Sequence, residues 1–227
     1  MTASKSSSAA PVAPRKPVTT VRHGITLVDD YAWLRADNWQ DVMRDPSVLA
    51  PEIRAHLEAE NAYTEAALAD TKALQVQLFQ EMKGRIKEDD SSVPLPDGPW
   101  SYNSRYVVGG QYPLVVRTPR SGGPEQIMID GNKEAEGQAY WQLGSADHSP
   151  DHAWLAYGVD DKGSELFTIR IRDLATGKDL ADAIPDTRGS VWADSSVLFY
   201  VKLDENHRPL SVWRHVRGTA ASEDVCV

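Results

Sequence analysis

Along this chain the apolar positions change period once. Leu74, Leu78, Met82 and Ile86 recur every four residues, which lines them up on one face of a helix, with Thr71 placed to cap its start and Gly84 weakening its last turn. The period then stops. Glu88 to Ser92 carry no apolar rhythm, Pro94 and Pro96 exclude helix, and Asp97-Gly98-Pro99 is turn chemistry. From Trp100 onward, aromatic and β-branched residues come in short runs divided by Gly and Pro, the pattern of strands and turns.

Upstream of this junction the pattern predicts helices and one hairpin. Residues 19–35 mix β-branched residues with a His23-Gly24 turn, and Trp33 and Leu34 should be buried. Residues 37–49 predict a short irregular helix that stops at Asp45-Pro46, because a residue before proline is pushed out of the α region. Residues 51–69 predict an amphipathic helix with Pro51 in its first turn and Ile53, Leu57, Thr64 and Leu68 near one face. Asp70-Thr71 leaves so short a link to the next helix that an antiparallel helical hairpin is expected. Residues 1–18, rich in Ser, Ala and Pro, are expected to be a disordered leader.

Downstream the chain repeats itself. Ser149-Pro150-Asp151 followed by Trp154-Leu155-Ala156-Tyr157 returns as Trp192-Ala193-Asp194 followed by Val197-Leu198-Phe199-Tyr200. Each copy continues through a polar turn, Asp160 to Gly163 or Asp204 to His207, into a second alternating strand. Asp173 to Lys178 then reads as the turn before a fourth strand. The spacing of the copies falls in the roughly 40–45 residue period of four-stranded propeller blades. Tyr102–Val107, Leu114–Arg117 and Gln126–Ile129 form an earlier, more divergent unit. The fold class expected is therefore mostly β with an N-terminal helical segment: an incomplete β-propeller with about three blades. Its parts are expected at 1–18 (leader), 19–90 (extension with the helical hairpin) and 91–227 (blades). A chain ending within or just after a blade reads as a fragment, since terminal blades without caps leave faces wet.

Composition narrows the function classes. A formal net charge of −9 over 227 residues speaks against a general nucleic-acid groove. No apolar run approaches the roughly 20 residues of a membrane span. The single cysteine, Cys226, allows neither an internal disulfide nor a cysteine-based metal site, and fits the cytoplasm while leaving the periplasm open. The N-terminal residues lack the apolar stretch of a secretory signal.

Candidate chemistry is sparse. No Gly-x-Ser-x-Gly elbow, Ser-x-x-Lys dyad, His-Glu-x-x-His or glycine-rich phosphate loop occurs. Asp147-His148-Ser149 places three triad residue types side by side, but neighbours on an extended strand point to opposite faces, so a strand start explains them better. His152 follows His148 at four residues, yet Pro150 between them rules out the helix that would align them, and the six histidines are expected to form no cluster. His23 reads as a turn residue, His56 and Glu60 as a surface pair, and Glu88-Asp89-Asp90 as a solvated linker. The recurring aromatic residues, Trp100, Tyr102, Tyr106, Tyr112, Trp141, Trp154, Tyr157, Trp192, Tyr200 and Trp213, read as packing between blades. No catalytic, cofactor-binding or metal-ligating residue and no cofactor is expected.

Several strings resemble the prolyl oligopeptidase family, most strongly its oligopeptidase B branch. They are His23-Gly24, Asp30 to Arg35, Glu58 to Thr64, Met82 to Pro94, Tyr112-Pro113, Ser149-Pro150-Asp151 and Leu203 to Pro209, in the family's order. Ala32 departs from the family's usual Pro, and Trp192 to Ser195 is one residue short of its usual turn. The resemblance implies the N-terminal portion of a serine peptidase: the helical extension and first blades of a seven-bladed propeller that limits access to a C-terminal α/β-hydrolase domain. It implies cleavage of short peptides after Lys or Arg by the complete enzyme. The triad positions belong to the absent domain, so this chain alone is expected to be inactive, with basic peptides and the missing domain as partners. A non-enzymatic module that binds peptides or a protein through an unpaired blade edge is the alternative.

Overall fold

Residues 9–227 are described by the computed structural model, and they divide between Ile86 and Lys87 into two units. The first opens with the hairpin β1 (Val18–Arg22) and β2 (Ile25–Asp29), paired antiparallel from Val18↔Asp29 to Arg22↔Ile25. His23 and Gly24 both take positive φ (52° and 79°), the mirror-image turn that matches the twist of a two-residue hairpin. Helices α1 (Trp39–Arg44), α2 (Pro51–Ala67) and α3 (Lys72–Lys83) follow. Asp45 closes α1 and accepts from Ser47 N, starting a single 3-10 turn over Pro46–Val48.

Three expectations fail in this unit. The leader is expected to be disordered to residue 18, but Pro14 O accepts from the Trp33 indole (2.9 Å), Lys16 N donates to Asp30 O (2.8 Å), and the Lys16 ammonium pairs with Glu52. The remainder of that expectation, residues 1–8, lies outside the described residues. Thr71 does not cap α3: its hydroxyl donates back to Leu68 O (2.7 Å) and accepts from Gln75. Nor do α2 and α3 bury a shared face: joined by the 3-10 turn Ala69–Thr71, they have Ile53 as their one buried residue. The stripe Leu74, Leu78, Met82, Ile86 is consequently exposed, and Ile53 is the single buried hydrophobic among the described residues of this unit. Among the described residues no helix is long and apolar enough to cross a membrane.

The second unit is a stack of antiparallel sheets. β3 (Leu95–Asp97), β4 (Trp100–Arg105), β5 (Leu114–Pro119) and β6 (Gln126–Asp130) pair in chain order. The unit begins before the boundary expected after Asp90, because Asp90 O accepts from Tyr106 N (2.8 Å) and Ser91 bridges Arg105, which draws this segment into the sheet. A short helical turn, α4 (Gly131–Glu134), is capped by Asp130. Beyond it lie β7 (Gln142–His148), β8 (Trp154–Asp160), β9 (Phe167–Asp173), β10 (Lys178–Trp192), β11 (Val197–Leu203), β12 (Pro209–Val216) and β13 (Val225–Cys226), also paired in chain order.

The long strand β10 serves two sheets. It pairs with β9 as far as Thr187↔Phe167 and with β11 from Thr187↔Lys202, so it is the fourth strand of one blade and the first of the next. Pro185 sits where the register with β9 jumps from Ile184 to Thr187, the place where a missing N–H costs no ladder bond. Asp186 and Gly189 supply positive φ (56° and 73°) around the change of partner. The described residues thus carry three four-stranded blades, and β13 is the last strand of the third. Two cores lie between them. Met128, Ile129, Trp141, Leu155, Tyr157 and Leu174 join the first to the second, and Ala156, Ile169, Ile184, Leu198 and Tyr200 join the second to the third. Successive residues of β8 feed opposite cores, Leu155 and Tyr157 one and Ala156 the other, which is the two-residue alternation of a strand at work.

Candidate functional site

The Ser149-Pro150-Asp151 turn between β7 and β8 is flanked by the ionisable side chains of Asp147, His148 and His152. Ser149 Oγ donates to Asp151 and accepts from Trp154 N (3.0 Å), and Asp151 also accepts from Ala153 N (3.1 Å). Burial works against the Asp151 carboxylate, but the bonds from Ser149 and Ala153 hold it below the usual carboxylate range. Ser149 is fully buried and meets His148 only through its carbonyl, so Asp147, His148 and Ser149 form no catalytic array. Burial raises the Asp147 carboxyl above its ordinary value, with His148 opposing.

Two of the six histidines do cluster, contrary to expectation. Pro150 excludes a helix, but the turn it makes returns the chain on itself, and the His148 and His152 rings lie 5.0 Å apart. His152 takes a left-handed backbone (φ 60°), and its carbonyl accepts from Arg117, whose guanidinium stacks 4.0 Å over Trp100. Tyr102 of β4 stacks on His148 at 3.9 Å, and its hydroxyl lies 2.8 Å from His152 Nδ1. Burial raises the Tyr102 hydroxyl above its ordinary value, with Arg117 opposing. Asp97, at the β3–β4 turn, places Oδ2 3.3 Å from His148 Nε2. Gly98 lets the turn approach: a Cβ there would sit 2.3 Å from His152 Nε2. Asp97, Tyr102 and His148 also line a cleft of about 650 Å³.

The other singled-out residues stay apart. His56 Nε2 faces Glu60 at 3.7 Å beside the Trp33 edge, the expected helical pair. Glu88 accepts from Gly109 N (3.0 Å) while Lys87 pairs with Asp90, so the acidic run does not converge. The aromatic residues are largely packing: Tyr157 and Tyr200 are buried, and Tyr112 meets Trp141 edge-on at 5.0 Å. Spacing gave no sign of a buried carboxylate–histidine–carboxylate group. His215 is fully buried, with Nδ1 2.7 Å from Asp224 and Nε2 3.0 Å from Asp182. It holds two parts of a hydrolytic triad, but it is sealed from solvent.

Residues 11–227 match the family described as prolyl oligopeptidase, N-terminal β-propeller domain. The chain belongs to the prolyl oligopeptidase family. Dipeptidyl aminopeptidase BI of Pseudoxanthomonas mexicana is 36% identical over 100% of this chain and 33% of its own length. Protease 2 of Moraxella lacunata is 30% identical over 94% of this chain and 31% of its own. The solved structure of oligopeptidase B from Leishmania major superposes with a TM-score of 0.85 at 32% identity, over 96% of this chain and 32% of that one. The chain therefore spans about a third of the length of these relatives. Within the family it corresponds to the N-terminal portion, and its unclosed stack of sheets is part of a propeller.

Proposed function

We propose that this chain is the N-terminal propeller portion of a serine endopeptidase that hydrolyses short peptides after Lys or Arg, and that it gates substrate access to a hydrolase domain. The carrying observation is the match over residues 11–227 to a propeller that its relatives join to twice as much further chain. Stacked blades bury one another's faces and leave their strand ends as the rim of a channel, a shape that admits an extended peptide and excludes a folded protein. The uncovered apolar side chains of β1, β2 and α3, among them Val21, Ile25 and Phe79, support a large partner surface, which we read as the hydrolase domain.

The chain alone is inactive in this reading, because it offers no nucleophile elbow. Purified 227-residue chain is expected to leave Lys and Arg reporter peptides uncleaved. Turnover that a serine-directed inhibitor abolishes would overturn this.

A second specificity is favoured by the 36% identity to a dipeptidyl aminopeptidase across the whole chain. The complete protein separates the two readings. An N-terminally blocked Arg reporter is cut by an endopeptidase, whereas a dipeptidyl aminopeptidase needs the free amine of a dipeptidyl reporter.

A further inference from the structure

We propose that Asp97, His148 and His152 form a binding site for a divalent transition-metal ion of the kind imidazole favours, such as Zn²⁺ or Co²⁺. One ligand atom from each of the three lies within 4.8 Å of the other two, and a bound ion would draw them in to the roughly 3.3 Å spacing of tetrahedral ligands. The ligand set, two imidazoles and one carboxylate, leaves coordination positions open.

The outer partners orient both rings for this task. His148 Nδ1 donates to Ser149 O (3.1 Å), which leaves Nε2 to face Asp97. His148 Nε2 and the Asp97 carboxylate oxygen lie 3.3 Å apart, close enough for one cation to bridge the two. His152 Nδ1 faces the Tyr102 hydroxyl, and with the ion on Nε2 it donates to that oxygen. A ring nitrogen bonded to a carbonyl or hydroxyl while the other is free is how ligating histidines are held.

The fold itself does not require these histidines. In the third unit Trp192 pairs with Leu198 as His148 pairs with Leu155, and Ser195 follows the turn aspartate Asp194 as His152 follows Asp151. The same hairpin therefore closes there without imidazole. Solvent reaches the site through the cleft, so an ion has an entry path. Ser190 Oγ, buried and without a partner among the described residues, lines the same cleft and offers a further polar contact to a water or ligand there. Every group involved lies within residues 87–227, so the site is independent of the peptidase reading.

Untagged 227-residue chain titrated with Zn²⁺ by calorimetry, and with Co²⁺ by visible absorption, tests the site. One equivalent is expected to bind, with cobalt d–d bands of low-symmetry coordination. His148→Ala and His152→Ala are expected to weaken binding by more than about 100-fold, and Tyr102→Phe, which removes an outer acceptor, by about 10-fold. His56→Ala leaves binding unchanged. Absence of uptake by the parent chain, or parent-like uptake by folded His148→Ala and His152→Ala, overturns the proposal. If those two fail to fold, Asp97→Asn at an exposed turn decides it: weakened binding supports the site and unchanged binding overturns it.

Discussion

Replacing His215 by alanine is expected to destabilise the chain by about 3–5 kcal/mol, the range for removing one partner of a buried ion pair. His215 and both carboxylates are sealed from solvent: the His215 and Asp224 side chains expose nothing and Asp182 exposes 2%. Each ring nitrogen sits within hydrogen-bond distance of a carboxylate oxygen, so one imidazole links two buried acidic side chains. The remaining lone pairs are also used. Tyr200 donates to Asp224 (2.9 Å) and Gly218 N to Asp182 (2.7 Å), and burial together with Asp224 pushes the Tyr200 hydroxyl well above its ordinary range, so it stays a donor. Alanine leaves two buried acidic side chains without their imidazole partner, together with a ring-sized void. For a chain of this size the cost corresponds to a fall of about 10 °C in Tm. Urea unfolding of the two proteins under identical conditions measures the difference. A loss below about 1 kcal/mol would mean the group is not the desolvated triad its geometry describes. Substituting all three members by apolar residues of similar volume should restore much of the loss, since such replacements are often neutral.

This network ties three places far apart in the chain: Asp182 on β10, His215 on β12, and Asp224 just before β13. Nothing in local spacing announces such a group, whereas the features written in local spacing were legible. The strand alternation, the aspartate turns at Asp160 and Asp204, and the His23-Gly24 hairpin all follow from one to five neighbouring residues. Asp160 accepts from Lys162, Gly163 and Glu165 N–H groups, and Asp204 from Asn206 and Arg208 N–H groups, as turn aspartates do.

Pro185 and Gly189 argue against a strand, yet both lie in β10, because a strand that changes partner has bulges where each is tolerated. Leu74, Leu78 and Met82 share one face of α3, which ends at Lys83 and leaves Ile86 beyond it, but period cannot say what covers that face, and in this chain α2 does not. Thr71 has the right residue type for a cap, but an α-region backbone (φ −94°, ψ −3°) turns its hydroxyl toward Leu68 instead. Residue spacing speaks only to helical alignment, and the histidine cluster does not form on a helix. A proline turn brings residues four apart together by a different path, and Asp97 and Tyr102 arrive from another sheet.

Arg172→Met is expected to cost about 2–4 kcal/mol, because one guanidinium satisfies acceptors of two blades. Its Nε and Nη2 form a fork on Asp179 (2.6 and 3.1 Å), Nη2 also donates to Glu134 (2.9 Å), and Nη1 to Met128 O (3.2 Å). Asp179 lies on β10 in the second four-stranded blade, whereas Met128 lies on β6 of the first and Glu134 on α4 just after it, so the arginine bolts the two blades together across the Tyr157 ring. Tyr157 completes the array by donating to Asp179 (2.6 Å), and burial followed by that bond pushes its hydroxyl well above the ordinary range. Lysine keeps the charge but not the fork, so Arg172→Lys should recover less than half of the loss.

The acid dependence carries a definite sign. Burial opposes the Asp179 carboxylate, yet Arg172 and Tyr157 outweigh it and hold Asp179 below the usual carboxylate range. A depressed carboxylate contributes stability that is present above its unfolded value, about pH 4, and that is lost as the pH falls through the folded value. The gap between the parent chain and Arg172→Met should therefore be widest near pH 7 and should narrow below about pH 4, as Asp179 takes up its proton in both. Urea midpoints measured at pH 7 and pH 3 read this directly. An unchanged gap at pH 3 would show that the arginine acts through packing against Tyr157 and its carbonyl contact, and not through its carboxylate partners.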